Sequence, residues 1–315
     1  MNSYFLPVGL LLAFLIAWLD PDPGAMLQQL GLIPWMVVII FLINGYQTNL
    51  KQLPRGRGIL SASIVAILIS LLISPFVGLA VASAMVLPVG AVMGLVVMAT
   101  VPPTLSSGIV MTQIAGGNVP KALFLTILLN LVGIFTIPFM LQLTLESVGI
   151  ISISPWPLLK QLILIVLIPF LIGMVLKLVV HIPPRHWLLK YLPLICVVGT
   201  VWMSVSASAD TLREINLLLL LLIVVGALAI HGALLLLCWM SRYLYRPEPS
   251  EWRALLFTAS QKTLPVAIGV LAALDQPIGV AMVACIVFHF LQLFIDSIIA
   301  SKMGQALKSG EYDHA

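Results

Sequence analysis

The sequence predicts an all-α membrane protein of ten transmembrane helices, arranged as two five-helix repeats of opposite orientation. Three observations predict it: a composition suited to lipid, ten apolar runs of membrane length, and basic residues concentrated on one side. Of the 315 residues, 61% are hydrophobic and 8% are charged. A soluble domain carries roughly 25% charged residues, so this chain cannot cover a water-facing surface and must present most of it to membrane lipid.

A span needs roughly 20 apolar residues. Segments 4–19, 32–49, 59–85, 88–116, 119–143, 157–179, 188–208, 216–241, 252–274 and 279–301 qualify. The first ends at Asp20-Pro21-Asp22-Pro23-Gly24. It has no basic residue before its apolar run and no clear cleavage site, so it reads as a membrane helix and not a signal peptide. Lys51 to Gly58 separates the second and third, Pro183-Pro184-Arg185 the sixth and seventh, and Pro247-Glu248-Pro249 the eighth and ninth.

With this layout one side receives Lys51, Arg55, Arg57, Lys121, Lys177, Arg185, Lys190, Arg242, Arg246, Arg253, Lys302 and Lys308. The other receives Lys160 and Arg213 with the acidic Asp20, Asp22, Glu146, Asp210, Glu214 and Asp275. The asymmetry places both termini and the basic loops in the cytoplasm. Short loops and the lack of a targeting segment point to a bacterial inner membrane. The net charge of +4 forms no basic stripe, so nucleic acid is not an expected partner. Cys196, Cys238 and Cys285 lie inside apolar runs without ligand spacing and read as small core residues.

Residues 1–150 and 151–315 each hold five spans, joined by a linker at Ser152 to Pro157. Five is odd, so the second half enters the membrane in the opposite sense, as in the inverted repeats of secondary transporters. The fourth span of each half is interrupted by proline, at Pro102-Pro103 and at Pro265; Pro103 and Pro265 are 162 residues apart. Proline removes a backbone donor, and the freed groups are tolerated in a membrane where they line a cavity or bind an ion. These two stretches are therefore the candidate transport site.

The first offers Pro103, Thr104, Ser106, Ser107 and Thr112 as hydroxyl and backbone donors or acceptors. The second offers Ser260, Gln261, Lys262, Thr263 and Pro265. Lys262 stands near mid-membrane depth, where a charge costs at least about 2.5 kcal/mol. It reads as a fixed charge for an anion, as a proton carrier, or as a lysine bonded to carbonyls or a counter-ion that holds the broken helix. Thr126 and Asn130, four apart on the fifth span, share a face. Asn44 and Gln47 form a weaker pair, and His289 is a further secondary candidate beside His231, which reads as structural. Asp296 is expected to face cytoplasmic water or pair with a basic residue. The chain lacks Gly-x-x-x-x-Gly-Lys, metal-ligand spacing and a nucleophile triad, so neither ATP-driven transport nor an enzyme is expected.

The run Pro103-Thr104-Leu105-Ser106-Ser107-Gly108 through Met111-Thr112, then Ala115-Gly116-Gly117-Asn118-Val119, resembles the fourth-span signature of the bile acid:sodium symporter superfamily. Asn44-Gly45 through Asn49-Leu50 with its basic loop resembles the second-span exit. Ser260-Gln261-Lys262-Thr263-Leu264-Pro265 resembles the ninth-span motif of the SBF-like branch, which is related to cation:proton antiporters. The resemblance implies crossing fourth and ninth helices. It also implies a panel of helices 1, 2, 6 and 7 rocking against a core of helices 3–5 and 8–10, an organic anion as substrate, and sodium near the crossover. No cofactor besides a sodium ion is implied. Thr126 and Gln261 match sodium-site positions. The acidic position four before the glutamine is Phe257 here, and the Ser-Asn pair of the fourth span aligns with Gly108 and Ile109. A sodium ion would lack its charged ligand, and Lys262 sets a positive charge beside the same place. Coupling to sodium, coupling to a proton through Lys262, and no ion coupling are the alternatives. A different reading is a non-transporting membrane regulator of calcium homeostasis, a role to which some relatives of this branch are linked.

Overall fold

The computed structural model describes residues 5–48, 57–147, 149, 154–183, 186–274 and 279–309. Lys51, Arg55, Arg185, Asp275, the 49–50 exit and the start of the linker lie outside the described residues, as do the side chains of Arg57 and Lys308. Every regular element among the described residues is helical. In order they are α1 (Phe5–Leu19), α2 (Asp22–Gln29), α3 (Leu32–Gln47), α4 (Gly58–Ser83), α5 (Val89–Thr100), α6 (Ser107–Ile114) and α7 (Val119–Glu146). There follow α8 (Pro155–Val179), α9 (Trp187–Ala207), α10 (Ala209–Glu214), α11 (Leu217–Tyr245), α12 (Pro249–Ala259), α13 (Leu264–Ala273) and α14 (Gly279–Lys308).

Among the described residues, seven continuous or gently broken helices are long and apolar enough to cross a membrane: α4, α7, α8, α9, α11, the α12–α13 pair and α14. Helices α1 and α2 meet at 101° and count as an eighth only if taken as one span. Helices α3 and α5 are apolar but shorter. The chain is thus a multi-pass membrane protein. The most apolar window of the α12–α13 pair is wholly buried inside the protein, so its hydropathy serves protein packing and not lipid contact.

Local chemistry sets the ends. Asn118 and Asn216 cap α7 and α11, accepting from the N–H of Lys121 at 3.0 Å and of Leu219 at 2.8 Å. Gly31 and Gly116 adopt φ of 72° and 68° at the α2–α3 and α6–α7 turns, a region that disfavours other residues. Lys121, near the start of the run 119–143, is buried: it bonds Glu251 at 2.8 Å and the Gly58 carbonyl at 3.2 Å, tying α7 to α12 and α4.

Helix α3 packs closely along α8, and α9 packs on α1, α2 and α3. The other helices pack around α5, α7, α11 and α14. Close approach depends on glycine. A Cβ at Gly45 would overlap the Phe170 carbonyl, and one at Gly173 would overlap the Leu42 carbonyl. Neither obstacle is a side chain that can turn away. Gly173→Ala is therefore expected to destabilise the protein by about 1–3 kcal/mol. Gly232→Ala, whose Cβ meets nothing within 4 Å, is expected to be neutral or stabilising. Thermal unfolding of the two variants in detergent checks the contrast.

Candidate functional site: two joined helix breaks

The break between α5 and α6 follows from Pro102 and Pro103. Pro103 has no N–H for the Ala99 carbonyl one turn back, and the Ser74 hydroxyl supplies the donor at 2.6 Å. The break between α12 and α13 lies at Ser260–Thr263, ahead of Pro265 in the first turn of α13. The two breaks are in contact. The Thr263 N–H donates to the Pro102 carbonyl at 2.9 Å, a backbone bond that no helix could make. Ser107 donates to Gln261 Oε1 at 2.7 Å, and Thr104 does so at 3.1 Å. Thr104 also bonds Ser107 directly. Asn130 on α7 steadies the first break by donating to the Pro103 carbonyl at 3.0 Å. Replacing it with leucine leaves that buried acceptor bare, an expected loss of about 1–3 kcal/mol that thermal unfolding would report.

Lys262 is fully buried. Its backbone N–H donates to Gln292 Oε1 at 2.9 Å and its carbonyl accepts from Gln292 Nε2 at 2.5 Å, so the side-chain amide of α14 substitutes for lost helical partners. The ammonium donates to the Ser70 carbonyl at 2.6 Å and lies 3.3 Å from the Ser70 hydroxyl. That carbonyl is free for a local reason. Helix α4 widens into a π turn at Leu68–Ile73, where the Ser74 N–H bonds Ile69 and not Ser70. The next residue, Pro75, has no N–H to give. The described ion pairs do not include Lys262, so the carbonyl-bonded arrangement is the one present.

Gln261 links the breaks to a buried acid. Its Nε2 donates to Asp296 Oδ2 at 2.7 Å, and Asp296 Oδ1 lies 2.9 Å from His231 Nε2. Asp296 is 0% exposed and His231 1%. Of the two expectations for Asp296, water or a basic partner, the second holds: it is buried and pairs with His231. One-dimensional pattern concealed this, because the two residues are 65 positions apart on different helices. The available signal was the rarity of an aspartate inside an apolar span.

The breaks thus bring together Pro103, Thr104, Ser107, Asn130, Gln261, Lys262, Thr263 and Pro265. The hydroxyls of Thr112 and Ser260 instead bond carbonyls of their own helices, at 2.7 and 2.6 Å. Ser106 is exposed. Thr126 sits one turn before Asn130 with a buried hydroxyl that has no hydrogen-bond partner. His289 is buried against Gln292, 3.0 Å from its Nε2. Asn44 and Gln47 stand on α3, outside this network; Gln47 bonds the Leu189 carbonyl and so joins α3 to α9.

The chain resembles known transport proteins along most of its length. The model of the SBF-like CPA transporter family matches residues 4–305. The probable sodium/metabolite cotransporter BASS4, chloroplastic, of Oryza sativa subsp. indica is 29% identical over 318 residues, covering 95% of this chain and 75% of that protein. Its Arabidopsis thaliana namesake is 26% identical over 95% of this chain and 72% of that protein. The sodium/bile acid cotransporter 7 of Mus musculus is 23% identical over 65% of this chain and 62% of that protein. With a family match that takes in both helix breaks and nearly every described residue, the chain belongs to the SBF-like CPA transporter family.

Proposed function

We propose that this protein is a secondary carrier that moves an organic anion across the membrane by alternating access, coupled to sodium or protons. In this reading the chain forms ten spans as two inverted five-helix repeats, residues 1–150 and 151–315. The α5–α6 and α12–α13 pairs are the discontinuous fourth and ninth spans, and they cross. Helices α1, α3, α8 and α9 form the panel, and the others the core. The grouping is supported by the packing of α9 on α1 and α3 and of α3 on α8. Both termini are cytoplasmic in a bacterial inner membrane, following the basic residues.

The observation that carries the reading is the backbone bond from Thr263 to Pro102, with Thr104 and Ser107 closed on Gln261. Half-helix ends meet there at a break in each repeat, where carriers bind substrate and coupling ion. The α6 and α13 N-termini offer partial positive charge and Lys262 a full one, which suits an anion. The names of the relatives, sodium/metabolite and sodium/bile acid cotransporter, support an organic substrate and a sodium ion.

Ligand binding to the folded state raises apparent stability. The test is thermal unfolding of purified protein in sodium against potassium chloride at equal ionic strength, then across pH. A sodium-specific or proton-specific rise in unfolding temperature is expected. Identical curves under all conditions would count against ion coupling.

A further inference from the structure

The polar chain leaving the helix breaks has a direction. Asp296 Oδ2 accepts from Gln261 at 2.7 Å and Oδ1 faces His231 Nε2 at 2.9 Å. Both oxygens accept only when the carboxylate is ionised. Gln261 must then turn its Nε2 to Asp296 and its Oε1 to the hydroxyls. Thr104 and Ser107 donate inward to that oxygen. The two hydroxyls also bond each other, and each has one proton to donate, so their two protons are taken up by Gln261 and by that bond and none is left for an anion outside.

One added proton changes the pattern. If Asp296 donated it to His231 Nε2, the imidazole would have to carry its own proton on Nδ1. That atom is buried without a partner, so this route exchanges an unpaired ring nitrogen for an unpaired N–H, the group buried unpaired more rarely. If Asp296 donates to Gln261 instead, the amide must invert, placing Oε1 toward the acid and Nε2 toward the hydroxyls. Thr104 and Ser107 then accept from Gln261; one hydroxyl proton stays in the bond between them and the other is free to turn outward. Asp296 is fully buried, Ser107 is only partly buried and its neighbour Ser106 is exposed, so the chain runs from a sealed acid to an accessible hydroxyl.

We propose that the His231–Asp296 pair takes up the coupled proton. The Gln261 amide inverts in response and frees one hydroxyl proton of the Thr104–Ser107 pair for an anionic substrate, presented by the partly buried Ser107. This rests on reading the joined breaks as a carrier's binding site. The proton adds to an Asp296 oxygen when the carrier's opening motion admits water to the pair, which is sealed in the present state; no bond between heavy atoms forms or breaks. The pair gains one positive charge, which balances one substrate carboxylate or sulfonate. Three other titratable groups lie nearby. Cys238 on α11 is within electrostatic range of Asp296 and Lys262, Lys262 is bound to Ser70, and His289 faces Gln292. None of the bonds described for them reaches Asp296.

Infrared difference spectroscopy of the purified protein, cycled between acid and alkaline buffer, tests the proposal without a substrate. Wild type is expected to show a protonated-carboxyl band at acid pH together with a shift of a side-chain amide band. D296N should lose both, and H231Q should displace the pH at which they occur. Taurocholate is then the anion probe. Its binding to wild type should tighten on acidification, whereas D296N, whose amide can hold Gln261 inverted, should bind it independently of pH. A carboxyl band that persists in D296N, or is absent from wild type, overturns the proposal. So does taurocholate binding that tightens equally in D296N. If wild type binds no taurocholate and no other organic anion, the carrier reading fails, while the infrared result still decides whether the pair takes up a proton.

Discussion

Uptake by Lys262→Ala protein in liposomes is expected to fall to the level of empty liposomes, while Ser107→Ala retains measurable transport. The difference follows from what each side chain holds. The Lys262 ammonium is the donor to the Ser70 carbonyl, which the π turn and Pro75 leave without a helical partner. Hydrogen bonds to charged groups contribute roughly 1.5–3 kcal/mol, and an unpaired buried carbonyl costs about 1–3 kcal/mol more. The alanine also leaves a cavity where a fully buried side chain stood, between α4 and the second break. Ser107 is one of two hydroxyls on Gln261, and Thr104 keeps the contact when it is lost. Lys262→Met separates charge from volume. It should fold better than the alanine variant and transport no better. Transport by Lys262→Met equal to wild type would show that the charge is dispensable and that lysine serves the break only by packing.

Asp296→Leu is expected to cause the largest loss of stability. It leaves the Gln261 amide and the His231 ring buried without their shared acceptor. Breaking a buried pair from one side costs roughly 3–5 kcal/mol, because the remaining polar group is stranded. The same principle supplies the control. Replacing the whole set, as Asp296→Leu with His231→Phe and Gln261→Leu, removes the stranded groups and should recover much of the lost stability. It should not recover transport, since no side chain then links the Thr104 and Ser107 hydroxyls of the first break to the second. Unfolding temperatures and uptake, measured on the same preparations, distinguish a stabilising network from a working one.

The membrane class and the positions of both breaks were legible in the sequence because their causes are local. Apolar runs end at Pro, Gly and charge, and double proline at Pro102-Pro103 must interrupt a helix wherever it is buried. Lys262 stood out for the same reason: a charge within an apolar span announces itself. What holds these residues was not legible. The acceptor of Lys262 lies 192 residues away and exists only because α4 widens ahead of Pro75. The partner of Asp296 was not legible either, because distance along a helix says nothing of which face a residue occupies. The face is set by packing on α11, where His231 waits 65 positions upstream. Gln292 is similar. Its side chain completes two backbone bonds of the second break, a role that its own surroundings in sequence do not suggest.

The most direct test of the carrier reading is accumulation of labelled taurocholate by proteoliposomes under an inward sodium gradient, an inward proton gradient, or neither. The account predicts accumulation above the external concentration with at least one gradient, its collapse when an ionophore dissipates that gradient, and its absence in Lys262→Ala. Mere equilibration, equal in all three conditions and unchanged in Lys262→Ala, would contradict a coupled carrier built on the two joined breaks.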